Sequence, residues 1–592
     1  MSTPERILAA LIVVMAWLFV PALADGFHAP RVAVLLLATS VLVVLSLPGA
    51  RRVWDGAHVS SRIAFIAAGL ASLWVAGSAV TSDAIWMAVT GTAARGVGAI
   101  TVVAALAAVV IVPIIGSQPV VRRRILQVLA LAIGGIGALA LLQFIGAVPL
   151  ELGGQPGRPP VSTLGNPNFT AAAVSLGAPL VLYLWLVHPR HRRLTIGLGV
   201  VVLATLIAAD SLLGWVAATA GVLAFAIAHL GTRWHRPRGW IIAVTPLATP
   251  IAGLAVVAIG SAAGSATAQV RTLAWEAGGG MVATHPVTGV GVGRSFAFYH
   301  QFRPPASVIA DGPDRAVDSS HAWLVDLAAT LGLVGVVLYV SLLVAAGLAL
   351  RAAWLGTDEA KLDRTQIACV VGLLAGHGAQ SSISVPTVLT VWLGGLFIGL
   401  ALASTVGSIR RHRRSRQHPG VIAVALLLVA ALAVPTGRWM LAARDLGLAQ
   451  QELFSGRPTV ADGYVGRAVD LAGWWPEAWL TAAHVAEELQ DLPRAREVTI
   501  QAYDADPRER RAIVGKAIIA AVEGDHDQAE QWYDLAVEYD PYGFRLHFDR
   551  AEWALQNDRE EIAEASLDVI EVVVHPSMPE WDRLQQLRAE LD

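Results

Sequence analysis

Thirteen long apolar runs, separated by short segments that alternate between arginine-rich and arginine-poor, constrain this chain more than any other feature. A helix needs about 20 mostly apolar residues to cross the hydrocarbon core of a bilayer. The runs lie at 7–24, 31–48, 62–80, 95–116, 124–147, 170–187, 193–210, 211–230, 239–262, 321–350, 365–382, 386–405 and 421–442. Inside lipid every backbone N–H and C=O must be paired within the protein, so spanning segments are helices or closed barrels. Runs this long, without strand-like alternation, predict an all-α fold: a polytopic bundle of about thirteen transmembrane helices. The first run is read as a retained span, and the shorter apolar stretch 83–95 as an interfacial or re-entrant piece.

Lys and Arg accumulate on the cytoplasmic side of membrane proteins. With the N-terminus inside, the inside segments carry 21 basic residues, including Arg122–Arg124 and the cluster at 410–416. The outside segments carry seven: Arg31, Arg95, Arg158, Arg271, Arg294, Arg303 and Arg315. Counting a full span at 83–95 would invert everything downstream and destroy the alternation. The parity predicts that segment 148–169, the longest inter-span loop 263–320 and the C-terminal tail all lie outside. The expected location is therefore the cytoplasmic membrane of the cell, multi-pass, in contact with the lipid bilayer.

Charged residues make up only 15% of the chain, below the roughly 25% usual for soluble proteins. The deficit is confined to the first three quarters. Residues 1–443 read as a membrane domain and 444–592 as a soluble domain. A net charge of −2 offers no basis for nucleic-acid binding. The single cysteine, Cys369, lies in an apolar run and reads as a buried apolar side chain.

The tail repeats every 34 residues. Ala495 corresponds to Ala529, Ala502 to Ala536, and Asp506-Pro507 to Asp540-Pro541. Small residues where paired helices touch, with Pro after the second helix, form the tetratricopeptide pattern. About three repeats fit between Pro476 and Pro576, with a last helix capping an α-solenoid. Such solenoids bind protein partners along a concave face, and a passive structural cap is the alternative.

Polar elements gather on the predicted outer side. Ser162-Thr163-Leu164-Gly165-Asn166-Pro167-Asn168-Phe169 precedes the sixth span; it is either a plain turn with Asn168 capping the helix or a loop whose Asn amides satisfy backbone groups where it dips near the bilayer. Arg271 to Met281 reads as an amphipathic surface helix, followed by His285-Pro286-Val287-Thr288-Gly289-Val290-Gly291-Val292-Gly293, where backbone can approach a ligand closely. A guanidinium fork suits a diphosphate, although a loop Arg can equally be solvated. Asp318-Ser319-Ser320-His321 sits at the mouth of the tenth span, and His321 could accept a proton from a hydroxyl or merely cap the helix. His377 reads as a hydrogen-bonding group. Asp210, between the seventh and eighth spans, should face a wet cavity or a partner.

These segments resemble motifs of the O-antigen ligase/polymerase family. Gly165-Asn166-Pro167-Asn168 is similar to that family's Gly-x-x-Asn-Pro-Asn loop. Arg271-x-x-x-Trp275 with the His285–Gly293 segment resembles its Arg…Trp…His-Pro-Leu-x-Gly-x-Gly stretch. Ser320-His321-Ala322-Trp323-Leu324 through Gly332-Leu333-Val334-Gly335 resembles its Ser-His-Asn-x-x-Leu…Gly-x-x-Gly pattern. The resemblance covers roughly residues 60–410, and some members carry a tetratricopeptide tail.

The resemblance implies a glycan transferase of cell-envelope polysaccharide biosynthesis. Its donor is a glycan linked to polyprenyl diphosphate of the undecaprenyl type; its acceptor is a glycan, a lipid or a protein. It also implies that no metal or other cofactor is needed. By motif, Arg271 takes the role of diphosphate ligand and His321 that of acceptor-activating base, with Asn166, Asn168 and Asp210 nearby in the substrate site. Two positions depart from the pattern. Leu212 stands where the family often has Arg after Ser211, which leaves Arg158 or Arg294 to supply a phosphate contact, and Ala322 replaces the Asn after the His. Two other readings stay open. A non-catalytic scaffold for envelope glycan assembly is motivated by the missing Arg. A polysaccharide or lipid transporter fits the span number but not the lack of an internal repeat.

Overall fold

The computed structural model describes residues 1–92, 95–148, 156–230, 235–311, 317–356, 361–406 and 419–591. The basic residues Arg233, Arg315 and the cluster at 410–416 lie outside these. Among the described residues the protein is helical throughout, with no strand. The first ten helices are α1 (Thr3–Trp17), α2 (Ala29–Gly56), α3 (Val59–Val80), α4 (Ile85–Thr90), α5 (Ala99–Ile115), α6 (Pro119–Phe144), α7 (Pro167–Ser175), α8 (Gly177–Val187), α9 (Arg192–Ala208) and α10 (Leu212–His229). Then come α11 (His235–Ala262), α12 (Ala266–Thr284), α13 (Ser295–Phe302), α14 (Pro305–Asp311), α15 (Trp323–Gly356), α16 (Lys361–Ser381), α17 (Val388–Ala403) and α18 (Pro419–Phe454).

Each of the thirteen apolar runs contains helix. By length and composition, nine candidate spans among the described residues can cross a membrane, and α5 and α17 are shorter apolar helices. The protein is thus a polytopic helical membrane protein. The first run forms a shorter helix than expected, because α1 ends at Trp17 and the chain turns through 18–28 before α2. The 83–95 stretch contains only the six-residue α4. The long loop between α11 and α15 is itself built of helices α12, α13 and α14, and Arg271 lies within α12 instead of opening it.

Arg31, counted above as a loop charge, is a buried structural cross-link. Its guanidinium donates to the carbonyls of Met15 and Thr163, at 2.8 and 2.9 Å, and to that of Phe27. A guanidinium can satisfy several carbonyls at once, which is how a charge is tolerated among apolar helices. Here it ties the end of α1 to the segment before α7.

The polar part continues directly from α18, which runs across position 443 without a break. It consists of α19 (Pro458–Ala472), α20 (Pro476–Glu488), α21 (Leu492–Ala505), α22 (Arg510–Val522), α23 (His526–Tyr539), α24 (Phe544–Gln556), α25 (Glu560–Val573) and α26 (Glu580–Leu591). Consecutive helices pack in pairs, α20 on α21, α22 on α23 and α24 on α25. Alanines fill their contact lines: Ala495, Ala502, Ala529 and Ala536 are all buried.

The tail is docked onto the α12–α15 segment. Val308 of α14 is buried in the same apolar cluster as Phe544 and Phe548. Trp86 of α4 packs against Trp474 at 5.3 Å between ring centres. The short apolar piece at 83–90 is thereby a seat for the tail.

Candidate functional site

The segment before α15 is a tight turn held by one carboxylate. Asp326, in the first turn of α15, accepts hydrogen bonds from the Ser319 hydroxyl at 2.5 Å and the Ser320 amide at 2.6 Å. This drives His321 into the left-handed region, φ 55°, which is uncommon for a residue with a side chain. Strained backbone of this kind concentrates at functional sites. His321 is half-buried and precedes the helix by two residues. Its Nδ1 lies 3.1 Å from the Ser319 carbonyl. A carbonyl only accepts, so Nδ1 carries the proton and the Nε2 lone pair is free. Burial, then the charge of Arg271, pushes the imidazole pKa down to about 4, so it is neutral at neutral pH.

Arg271, on α12, is half-buried and has no hydrogen bond or ion pair among the described residues. Burial lowers its pKa from the ordinary arginine value. Arg95 is engaged instead: its guanidinium meets Asp318 two-pronged, at 2.8 and 2.9 Å, and lies over the Phe169 ring at 5.1 Å. Sequence reasoning listed Arg95 only as an outer basic residue and gave Asp318 no role. The available signal was that Arg95 is one of seven basic residues on that side.

The glycine-rich segment closes the site from below. Gly332, φ 66°, breaks α15, and the exposed backbone takes bonds from the incoming loop. The amides of Val290 and Gly291 donate to the carbonyls of Ala329 and Thr330, and the Leu333 amide donates to Pro286. A Cβ on Gly332 would stand 2.1 Å from the Val287 carbonyl oxygen, and one on Gly289 2.3 Å from the Thr330 carbonyl carbon. Only glycine fits at this crossing.

The Asn-Pro-Asn segment joins from the other side. Asn166, not Asn168, caps α7: its side chain accepts from the Asn168 amide at 2.8 Å. That leaves the Asn168 carbonyl oxygen to accept from the Ser211 hydroxyl at 2.7 Å. Asn168 is exposed, and the neighbouring Phe169 is the ring beneath Arg95. The three motifs therefore meet around Arg95, Asp318 and His321.

The other candidates fall elsewhere. Arg158 is exposed, with no hydrogen bond or ion pair among the described residues. Asp210 occupies an exposed turn between α9 and α10, φ 46°, rather than a cavity wall, so it incurs no burial cost. Leu212 is exposed. Arg294 is already neutralised by Asp506 and Asp83, which removes it as a free phosphate ligand. His377 is buried edge-on against Phe397, and Cys369 is wholly buried.

Two cavities adjoin the turn. A small one of about 50 Å³ is lined by Arg95, Asp318, Ser319 and Asp326 together with apolar residues such as Val102 and Val292. An apolar cleft of about 80 Å³, walled by Trp74, Val75, Tyr339 and Leu342, shares Trp323, Leu327 and Leu331 with it. Neither Arg271 nor His321 lines the small cavity; His321 lies within electrostatic range of Arg271, Asp318 and Arg95. The described residues contain no His, Cys, Asp and Glu cluster suited to a metal ion.

No curated protein matches the chain. Residues 197–340, from α9 through the glycine-rich segment and into α15, match the family model described as O-antigen ligase, and through this region the chain is similar to that family.

Proposed function

We propose that the protein transfers a glycan from polyprenyl diphosphate to an acceptor hydroxyl at the outer face of the cytoplasmic membrane. The observation that carries this is the pairing of an unengaged, half-buried guanidinium, Arg271, with a neutral imidazole, His321, whose Nε2 is free. Arg271 would hold the diphosphate through charge-assisted hydrogen bonds. The apolar cleft is suited to the lipid end of the donor. The acceptor oxygen attacks the sugar carbon that bears the diphosphate and its proton passes to His321 Nε2. The carbon–oxygen bond to phosphate breaks, and polyprenyl diphosphate leaves with the electron pair. The tail would act as a tetratricopeptide platform that keeps a protein partner or the acceptor near the site.

The test is turnover by the full chain in lipid, with polyprenyl-diphosphate-linked glycan and a pool of acceptors. Release of polyprenyl diphosphate should fall by roughly 10²–10⁴-fold in His321→Ala. In Arg271→Ala it should fall by a comparable amount. The exposed Leu212, at the position where the family often has Arg, favours one rival, a scaffold without turnover. Donor binding with no release from wild type would establish that rival.

A further inference from the structure

A third cavity, of about 390 Å³, lies between α13 and the tail. It shares Thr92, Gly293 and Asp318 with the small cavity near His321, so the two adjoin. Its far wall belongs to the tail: Glu477 opens α20, Glu509 precedes α22, and Arg510 and Arg511 begin α22.

Its charges are balanced in pairs. Arg294 meets Asp506, Arg510 meets Asp540, and Arg511 meets both Glu477 and Glu509. Arg508 is held between the rings of Phe298 and Tyr539, at 3.6 and 4.4 Å, and reaches Gln301. An anion entering here would have to displace a carboxylate already in place. An uncharged polyol would not, because its hydroxyls can donate to the carboxylates and accept from the guanidinium groups without breaking the pairs.

One lining group lacks a hydrogen-bond partner. His300 is 3% exposed, and among the described residues neither ring nitrogen has such a partner. The nearest carboxylate, Asp540, is 3.9 Å from Nδ1. Unsatisfied buried polar atoms are uncommon in folded proteins. Burial, with the charges of Arg510 and Arg303, keeps this imidazole neutral. A neutral imidazole offers one donor and one acceptor, which a sugar hydroxyl pair can use together.

We infer that this cavity is a binding subsite for an uncharged oligosaccharide, built jointly by α13 and the tail, with His300, Glu477 and Arg511 as its hydrogen-bonding residues. The inference rests on the transfer reading for the origin of the glycan: the subsite would hold the sugars distal to the reacting one.

Binding can be measured without turnover, so its failure is separable from failure of the transferase reading. The full chain in lipid nanodiscs is titrated with uncharged tetrasaccharides (gluco-, manno- and N-acetylglucosamine series) and with an acidic galacturonate tetramer, using saturation-transfer NMR. A neutral tetramer should bind and the acidic one should bind more weakly. His300→Phe should weaken neutral binding roughly three- to tenfold, the effect of one or two lost hydrogen bonds, and His300→Gln should restore part of it. Glu477 and Arg511 are partly exposed, so Glu477→Gln and Arg511→Gln are safe for folding and should each weaken binding as well. Arg271→Ala should leave it unchanged. The inference is overturned if no neutral tetramer binds, if the acidic one binds more tightly, or if the His300, Glu477 and Arg511 variants bind like wild type.

Discussion

Arg294 and Asp506, 212 positions apart in the chain, form a two-pronged ion pair at 2.5 and 2.7 Å in which both partners are almost wholly buried. Burial works against the guanidinium charge, but hydrogen bonds and attraction from Asp506, with help from Asp83, hold the Arg294 pKa above its ordinary value. The arrangement is repeated. Asp540, one 34-residue period beyond Asp506, takes Arg303 at 2.8 Å, and both arginines flank α13.

Removing one member of such a pair strands a buried charge, which costs about 3–5 kcal/mol, whereas removing both costs much less. Arg294→Met and Asp506→Leu should each raise hydrogen exchange in 290–311 and in the α21–α22 turn. The double variant should be closer to wild type than the sum of the two. Additive effects would show that the pair does not couple the tail to the loop.

Gly332→Ala should be among the most damaging single substitutions. It places a side chain at φ 66°, costing roughly 1–2 kcal/mol, and puts a Cβ into the Val287 carbonyl, which adds a similar or larger penalty. The melting temperature in detergent should drop. Gly437→Ala, in α18 with open space around the new Cβ, should leave it unchanged or higher.

The pH–rate profile should have an unusually low acid limb. With His321 at about 4, the free enzyme holds its base ready down to that pH, well below the ordinary histidine value of roughly 6.5. In Arg271→Gln the remaining rate should show this limb moved to higher pH, since a neighbouring positive charge has been removed. An unmoved limb would separate the two residues.

Acid should loosen the docked tail through His300. Its pKa is held at about 2 when folded, against roughly 6.5 unfolded. Above 6.5 both states are neutral and nothing is gained or lost. Below it only the unfolded state takes the proton, so stability falls as pH drops, by about 1.4 kcal/mol per unit. Protease resistance of the tail should decline between pH 6.5 and 5, and His300→Gln should flatten that decline.

Much of this was legible in the sequence, because apolar length and glycine placement are local signals. The helices follow the apolar runs, and the positive-φ glycines at 289, 291 and 332 sit where the motifs put them. The site was only half legible. Arg271 and His321 could be picked from motifs, but Arg95 could not, because its partner is 223 positions away. Arg294 looked free for the same reason: nothing local announces Asp506. Arg31 looked like a loop charge because the carbonyls it serves belong to the chain's fold and not to its composition.

The single helix α18, 36 residues from Pro419 to Phe454, carries one further consequence. At 1.5 Å per residue it is about 54 Å long, so well over a third of it extends past a hydrocarbon layer of roughly 30 Å. Because α18 runs continuously from bundle to tail, through the interior Pro435, the tail's azimuth is set by helical phase. One residue inserted near Gly437 would turn everything beyond it by about 100° and carry Asp506 and Asp540 away from Arg294 and Arg303. Seven inserted residues would nearly restore the angle but lift the tail by about 10 Å. The chain is therefore indexed: its length between bundle and tail is as constrained as the residues that meet across the gap.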